Sequence, residues 1–389
     1  MKMSNKSKII TFILAFLVLS GSIFYIVKSD AKPLYQETDI DTLKTNVNNA
    51  ISSSRNNIIT ETVKKVSPAV VGINVTEIVK YRDPFGSLMD DPFFRQFFGD
   101  RGNYNQKVMG LGSGYLISAD GYIVTNDHVA GNAAEITVTM TNGKHYNAKV
   151  VGTDPTSDIC LLKIDANNLP YMTLGNSDNV IIGEWVIALG NPFGLFALND
   201  QPTVTVGVVS AKGMNLEPIN KRYYLNMIQT DAAINGGNSG GPLVNAFGEI
   251  IGMNTLIYTA GGVQGNIGLG FAIPINKVKN IIQELKDKGK IDRDFDIGLR
   301  VQTIDDEIAK YYKLETTRGV IITQVLPNTP AARSDLKVGD IIEQIEDYKV
   351  SNVQTIEGIF QEFRAGQKIN IKVLRDNEEK NISMKLEKR

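Results

Sequence analysis

The chain has 389 residues, a formal net charge of −1, two histidines and one cysteine. That length exceeds one ordinary core and calls for two or three domains. The near-neutral charge gives no electrostatic case for nucleic acid as a partner, a lone Cys160 excludes an intramolecular disulfide, and two histidines with one cysteine offer no basis for a Cys/His zinc site. Nothing in the composition calls for a metal or another cofactor.

Lys2, Lys6 and Lys8 precede an uncharged run from Ile9 to Val27. As a helix at about 1.5 Å per residue this run reaches about 28 Å, close to a bilayer core. A secretory h-region is shorter, about 7–15 residues. Residues 1–28 therefore read as an uncleaved transmembrane anchor, with a cleaved signal as the second reading because Ser20-Gly21-Ser22 imitates a cleavage site. The lysines before the span, against mixed Lys28, Asp30 and Lys32 after it, place the N-terminus in the cytoplasm. On either reading the remainder lies outside the cytoplasmic membrane, in the cell envelope. Residues 29–58 are polar and read as a linker.

From about Thr60, short apolar runs alternate with turn signals: Val70–Val75, Gly114–Ile117, Tyr122–Thr125, Ile136–Met140, Ala148–Val151 and Ile159–Ile164. Residues 80–107 interrupt the series with the aromatic stretch Asp91-Pro92-Phe93-Phe94-Arg95-Gln96-Phe97-Phe98-Gly99-Asp100, either a partner surface or a self-packed loop. His128 follows one apolar strand at a polar turn. His145 follows Asn142-Gly143, a hairpin dipeptide, and reads as decoration on an exposed strand. His128 is thus the candidate general base.

Asp158 opens the Leu/Ile-rich strand 159–164 and is the candidate acid that orients the imidazole. Asp127 adjoins His128, but neighbours in extended chain face opposite ways. Asp154 is expected to serve its own turn through side-chain-to-backbone bonds. Cys160 reads as a small buried hydrophobe.

A second series of strands follows: Trp185–Leu189, Thr203–Ala211, Met227–Thr230, Leu243–Val244, Glu249–Thr255 and Gly268–Ile273. Many short, evenly punctuated strands mean an all-β barrel or sandwich pair. Within the series, Asp231-Ala232-Ala233-Ile234-Asn235-Gly236-Gly237-Asn238-Ser239-Gly240-Gly241-Pro242-Leu243 carries one serine in a turn crowded with glycine. A nucleophilic serine needs such a bend, with N–H groups converging on the oxygen that turns negative in acyl transfer; here those of Gly237 and Ser239 would form the oxyanion hole. Beyond Pro274, Val278, Ile281, Ile282 and Leu285 repeat at helical spacing from Asn276 to Gly289. Val353, Ile356, Phe360 and Phe363 mark a second helix, and alternating strands Ile369–Val373 and Ile382–Leu386 follow it.

The order His128, Asp158, Ser239 is that of the chymotrypsin arrangement. With it stand Gly112-Ser113-Gly114, Thr125-Asn126-Asp127-His128-Val129, Asp154-Pro155-Thr156-Ser157-Asp158-Ile159, Ala188-Leu189-Gly190-Asn191-Pro192-Phe193-Gly194, Gln229-Thr230-Asp231-Ala232-Ala233-Ile234-Asn235 and Gly268-Leu269-Gly270-Phe271-Ala272-Ile273-Pro274. From about residue 60 to 389, in one collinear order, the chain resembles the HtrA (Deg) family of bacterial trypsin-like serine proteases, in its membrane-anchored form. Gly319-Val320-Ile321-Ile322 through Ala332, and Leu336-Lys337-Val338-Gly339-Asp340, resemble a PDZ domain of that type.

The resemblance implies a mainly β fold: a chymotrypsin-like double β-barrel at 59–275, a linker helix at 276–294 and a PDZ domain at 295–389. The active site then lies in the cleft between six-stranded barrels. His128 and Asp158 come from the first barrel and Ser239 from the second. Substrate pairs as an added strand along Ile267, Gly268 and Leu269. The PDZ domain holds a C-terminal peptide carboxylate near Ile297, Gly298 and Leu299. The family also implies a homotrimer or a multiple of it, and PDZ ligation that reshapes the active-site loops. Three positions depart from it. Gly236 and Asp296 stand where many relatives carry a larger and an aromatic side chain. Asp127 stands where many carry an uncharged one, and its charge favours a protonated His128. The expected activity is endoproteolysis of unfolded or misfolded proteins. Stress-sensing, site-one cleavage of a membrane regulator is the alternative within proteases, and a non-enzymatic chaperone or PDZ peptide sensor the alternative outside them.

Overall fold

The computed structural model describes residues 56–79, 106–191, 196, 200–257 and 268–389. The expected anchor at 1–28, nearly all of the linker at 29–58, the aromatic stretch 91–100 and Ile267 lie outside the described residues. Among those described, no helix is long and apolar enough to cross a membrane.

Helix α1 (Ile58–Val66) leads into the first barrel, whose strands are β1 (Val70–Val79), β2 (Gln106–Leu116), β3 (Tyr122–Thr125), β4 (Glu135–Met140), β5 (His145–Asp154) and β6 (Ile159–Ile164). They close in the order β1-β2-β3-β6-β5-β4. Between β3 and β4 the chain makes a single helical turn, α2 (Asp127–Ala130). The run Ile-Cys-Leu-Leu-Lys-Ile of β6 is buried at every position but Lys163, because one face points into the barrel and the other meets a later helix. A continuous apolar run is what such two-sided burial requires.

The second group is β7 (Thr173–Leu174), β8 (Trp185–Gly190), β9 (Thr203–Met214), β10 (Met227–Thr230), β11 (Pro242–Asn245), β12 (Glu249–Ile257) and β13 (Gly270–Pro274). Six of them run β11-β8-β9-β10-β13-β12, and β11 pairs with β12 to close the ring; the two-residue β7 adds in parallel to β12. The fold is therefore the expected double barrel. Strand β13 starts at Gly270, not at the anticipated Gly268, whose φ of +86° breaks the extended backbone.

Helix α3 (Ile275–Lys288) buries Val278, Ile281, Ile282 and Leu285 and ends at Gly289 in the left-handed region. It begins one residue before the expected Asn276. Pro274 stands at the cap, and the Asn276 amide reaches instead to Asn176 Oδ1 at 2.6 Å. The helix lies on β5, β6, β12 and β13 and so clamps both barrels from outside.

The C-terminal domain comprises β14 (Phe295–Asp296), β15 (Leu299–Thr303), α4 (Asp306–Tyr312), β16 (Val320–Val325), α5 (Pro330–Arg333), β17 (Ile341–Ile345), β18 (Tyr348–Lys349), α6 (Val353–Gln361), β19 (Lys368–Arg375), β20 (Glu378–Lys385) and β21 (Glu387–Lys388). Its main sheet runs β15-β16-β17-β19-β20, with β18 on β17; β14 pairs with β21. The domain has its own core around Ile322, Ile342, Ile359 and Ile371. Between β15 and α6 lies a groove of about 420 Å³ lined by Ile297, Leu299, Val301, Ile356 and Phe360.

This domain is fastened to the protease barrels by ion pairs and by aromatic packing. Lys277 and Glu284 of α3 pair with Glu362 and Arg364. Leu225 is buried among the PDZ core residues, and the Tyr223 ring packs on Gly358. Arg293, in the connector after α3, grips Asp154 with two 2.7 Å bonds and donates to the Gln361 carbonyl at 2.7 Å and to Ser157 Oγ at 3.2 Å. Asp154 thus serves an interdomain pair, with Ser157 of its own turn beside it and no backbone donor among the described residues. The turn was the nearest partner in sequence, and the guanidinium that outbids it lies 139 positions away.

Burial pushes the Asp154 carboxyl up, but the Arg293 guanidinium, helped by Ser157, outweighs this and holds it below the usual carboxylate range. A depressed folded value means stability that is present above the unfolded value of about 3.9 and lost as pH falls through the folded one. Arg293→Ala strands a buried carboxylate. It is expected to cost about 3 kcal/mol at neutral pH and to flatten the loss of stability between about pH 5 and 2. Thermal unfolding across that range checks both.

Candidate active site

The site is built around a carboxylate with no exposure to solvent, Asp158, at the turn between β5 and β6. Its φ of +59° lets the chain reverse just before β6. Asn126, at the end of β3, fixes that turn: its amide donates to the Asp158 carbonyl at 2.9 Å and to Thr255 Oγ1 at 3.1 Å. Thr125 beside it donates to the Ser113 carbonyl at 2.7 Å. His128 rides on α2, the polar turn expected after β3, here a single helical turn. The helical turn puts its backbone N–H 3.0 Å from Asp158 Oδ1, and its Nδ1 2.9 and 2.8 Å from the two carboxylate oxygens.

The same carboxylate takes bonds from the second barrel. Thr255 Oγ1 of β12 donates at 2.9 Å and the Tyr224 hydroxyl at 3.2 Å, and Arg222 Nε lies 3.4 Å away. Full burial pushes the Asp158 carboxyl up; His128 by charge and hydrogen bonds, then Arg222 by charge, outweigh it and hold the group below the usual range. Burial and Asp158 push the Tyr224 phenol well above its ordinary value, so it stays a donor.

Asp127 points elsewhere. Its carboxylate accepts from Arg222 at 3.0 Å and from Thr153 Oγ1. The helical turn, not extended alternation, separates it from the imidazole. His145 begins β5, is exposed, and meets Thr139 Oγ1 at 3.0 Å, away from the cluster.

Ser239 lies in the turn 236–241, where Gly237 has φ +88°. Ser113 of β2 holds this turn from the first barrel. Its N–H donates to the Ser239 carbonyl at 3.0 Å, its hydroxyl donates to the Gly237 carbonyl, and that hydroxyl accepts from Asn191 N–H at 2.7 Å. On the far side Gly240 N–H donates to the Asn254 carbonyl at 2.8 Å. With the Gly237 carbonyl turned to Ser113, the N–H groups of Gly237 and Ser239 meet no protein acceptor among the described residues. The Ser239 hydroxyl donates to the Thr255 carbonyl at 3.1 Å. Thr255 therefore touches both ends of the cluster, the acid through its hydroxyl and the serine through its carbonyl.

This arrangement can polarise an alcohol and bind an oxyanion, with an imidazole whose tautomer a buried carboxylate fixes. Among the described residues no cluster of His, Cys, Asp and Glu could hold a metal ion. The trypsin-like peptidase domain family matches residues 112–253 and the PDZ domain family matches residues 296–386. A probable periplasmic serine endoprotease, DegP-like, of Marinomonas sp. is 40% identical over 344 residues, covering 85% of this chain and 71% of that protein. Its namesake in Chlamydia muridarum is 43% identical over 299 residues, covering 76% of this chain but only 58% of the relative. Among solved structures, the HtrA-type protease AlgW with a decapeptide matches with a TM-score of 0.60 at 39% identity, over 84% of this chain and 98% of that one. The chain belongs to the HtrA family of serine endoproteases. The serine endoprotease of Yersinia pestis matches at 31% identity with a TM-score of 0.52.

Within this HtrA fold, His128 and Asp158 are brought together, and Ser239 joins them through their shared neighbour Thr255. Of the proposed substrate strand, Gly268 is exposed with positive φ and Leu269 leans on the main core. At the PDZ end Gly298 has φ +77°, and a Cβ there would strike Thr329. The Ile297 N–H is taken at 2.8 Å by the carboxylate of Asp296.

Four residues escaped the sequence reading: Ser113, Arg222, Tyr224 and Thr255. Ser113 stood in a motif that was noted without a role. The other three lie 64 to 97 positions from Asp158, and only the closure of the second barrel brings them to it.

Cys160 is fully buried on β6, as its short apolar setting suggested. Burial, aided by the negative charges of Asp127 and Asp158, pushes its thiol up to about 12. Native protein should therefore resist iodoacetamide at pH 8 and react only on unfolding, as mass spectrometry would show. Cys160→Ala should keep its endoprotease activity. Thr255→Val removes one charged hydrogen bond to Asp158 while leaving the backbone carbonyl; kcat/KM is expected to fall about 10- to 100-fold.

Proposed function

We propose that Ser239 is the nucleophile, His128 the base and Asp158 the orienting acid of an envelope endopeptidase. The observation that carries this is the His128–Asp158 bond of 2.8 Å, linked through Thr255 to a glycine turn whose two N–H groups meet no acceptor among the described residues. Ser239 attacks the peptide carbonyl as His128 takes its proton, and His128 returns that proton to the leaving amine. Asp158 holds the Nδ1–H tautomer and stabilises the imidazolium. The N–H groups of Gly237 and Ser239 bind the developing oxyanion. In the resting arrangement the serine proton rests on the Thr255 carbonyl. Attack requires the hydroxyl to turn to His128. Substrate pairs along Ile267, Gly268 and Leu269.

The working setting follows from the N-terminal segment and from the relatives, whose names place them in the periplasm. Residues 1–28 anchor the chain in the cytoplasmic membrane, with the barrels and PDZ domain on the extracytoplasmic side, as a homotrimer or a multiple of it. Substrates are unfolded or misfolded proteins.

The PDZ domain takes C-terminal peptides in its groove, the carboxylate near Ile297, Gly298 and Leu299, and thereby regulates cleavage. The consecutive residues Arg222, Tyr223 and Tyr224 support that coupling. Tyr223 lines the groove between β15 and α6, while its two neighbours touch Asp158. A ligand that moves Tyr223 changes the setting of the acid. The anchor also favours a second reading, one-site cleavage of a membrane regulator in response to stress.

Soluble residues 30–389 are expected to degrade reduced, unfolded casein, and Ser239→Ala to abolish this. Asp158→Asn is expected to lower kcat by about 10⁴-fold, the loss that follows when a triad imidazole takes the wrong tautomer. Deca- and tripeptides ending in a free carboxylate should change the rate. Broad cleavage without peptide supports quality control, and a single cut in one membrane protein supports the regulator reading. Peptide binding without any cleavage would overturn both.

A further inference from the structure

One guanidinium stands between two buried carboxylates. Arg222 lies 3.0 Å from Asp127 and 3.4 Å from Asp158, whose side chains are 2% and 0% exposed, and is itself 11% exposed. Among the described residues no other lysine or arginine pairs with either carboxylate. Asp127 and His128 are consecutive on α2, so the Asp127 carboxylate, although turned to Arg222 and Thr153, is held one residue from the imidazole that Asp158 contacts. Arg222 arrives from a different element, the connection between β9 and β10, which is anchored by Tyr223 N–H on the Thr156 carbonyl at 2.9 Å.

A general base has to be neutral to accept a proton. Two anions at close range favour the protonated imidazole, and a nearby cation opposes it. We infer that Arg222 is a positioning residue for the acid–base pair: it cancels the charge of Asp127, so that His128 works against the single negative charge of Asp158. It also lies 3.4 Å from Asp158 Oδ1, while the Tyr224 hydroxyl and Thr255 Oγ1 donate to Oδ2.

Among the described residues, the other groups that face the two carboxylates are uncharged at neutral pH. From β5 comes the Thr153 hydroxyl, which donates to Asp127. From β6 comes the Cys160 thiol, pushed up to about 12 by burial. From the 215–226 connection comes the Tyr224 phenol, also pushed up by burial. Arg222 stays cationic: burial opposes the charge, but Asp158 and Asp127 favour it more. Among the described residues, the charge balance at the two carboxylates therefore rests on Asp127, Asp158 and Arg222.

The inference rests on His128 being the base, and the test separates the two. kcat/KM for unfolded casein would be measured from pH 5 to 9 in the full chain, in Arg222→Gln, Arg222→Lys, Asp127→Asn and the double variant Arg222→Gln/Asp127→Asn. In parallel, the imidazole Cε1–H signals would be titrated by NMR; the chain has two histidines, so exposed His145 serves as the internal reference. Arg222→Gln is expected to move the acid limb to higher pH by about one unit, a loss of about tenfold below the limb that is recovered above it. The His128 signal should move with it and that of His145 should not. Asp127→Asn in the double variant should bring the limb back, and Arg222→Lys should keep it in place.

A uniform loss at every pH, with the His128 midpoint unmoved, would reduce Arg222 to a packing residue and overturn the inference. If Arg222→Gln does not fold, Asp127→Asn alone decides: its acid limb and His128 midpoint should move to lower pH, and no movement overturns the inference. If the wild type cleaves nothing, the proposed function fails, while the NMR titration still decides the role of Arg222.

Discussion

A carboxylate sealed from water has to be surrounded by donors, and much of this protease can be read as the means of surrounding Asp158. Desolvation alone would drive such a group to its neutral form, which could neither fix an imidazole tautomer nor stabilise an imidazolium. The donors come from both barrels: His128 and its backbone N–H from α2, Thr255 from β12, Tyr224 and Arg222 from the segment before β10. No single barrel supplies enough. The cleft therefore joins two barrels that complete one another's polar bonds.

The legible parts of the sequence were the local ones. Alternating short strands, the Gly-rich turn around Ser239, the apolar face of α3 and its Gly289 stop are all written in neighbouring residues, and the folded chain shows them with shifts of one or a few positions. The errors share one cause. Asp154 was assigned to its own turn, yet its partner Arg293 lies in the connector to the PDZ domain. Asp127 is turned from the imidazole, as expected, but by a helical turn and a pair with Arg222 and not by extended-chain alternation. Long-range ion pairs leave no periodic trace in one sequence. Thr255 was invisible for the same reason, since a threonine at the end of a buried strand resembles many others until the ring closes. The family resemblance supplied the fold that periodicity alone could not decide between barrel and sandwich.

The contact between barrels and PDZ domain combines largely buried charge pairs with aromatic and apolar packing. Arg293, Lys277 and Glu284 set the orientation through charge pairs, and Tyr223 and Leu225 enter the PDZ side as apolar anchors. Charge pairs with long side chains can re-form after a small displacement, whereas a ring seated on Gly358 either fits or leaves. That asymmetry suits the proposed coupling of the groove to the barrels while keeping the domains attached.

Ser113 holds the carbonyls of Gly237 and Ser239 from a strand of the first barrel, some 125 residues earlier in the chain. The turn that orients the candidate nucleophile is therefore scaffolded by an element made long before it. A half-completed chain in which the barrels have not met would contain the serine but not its geometry. Such a polypeptide, still threading out of a membrane among other unfolded polypeptides, would be harmless to them. The geometry proposed for cutting exists only once the two barrels have closed on one another, so assembly itself acts as the safety catch.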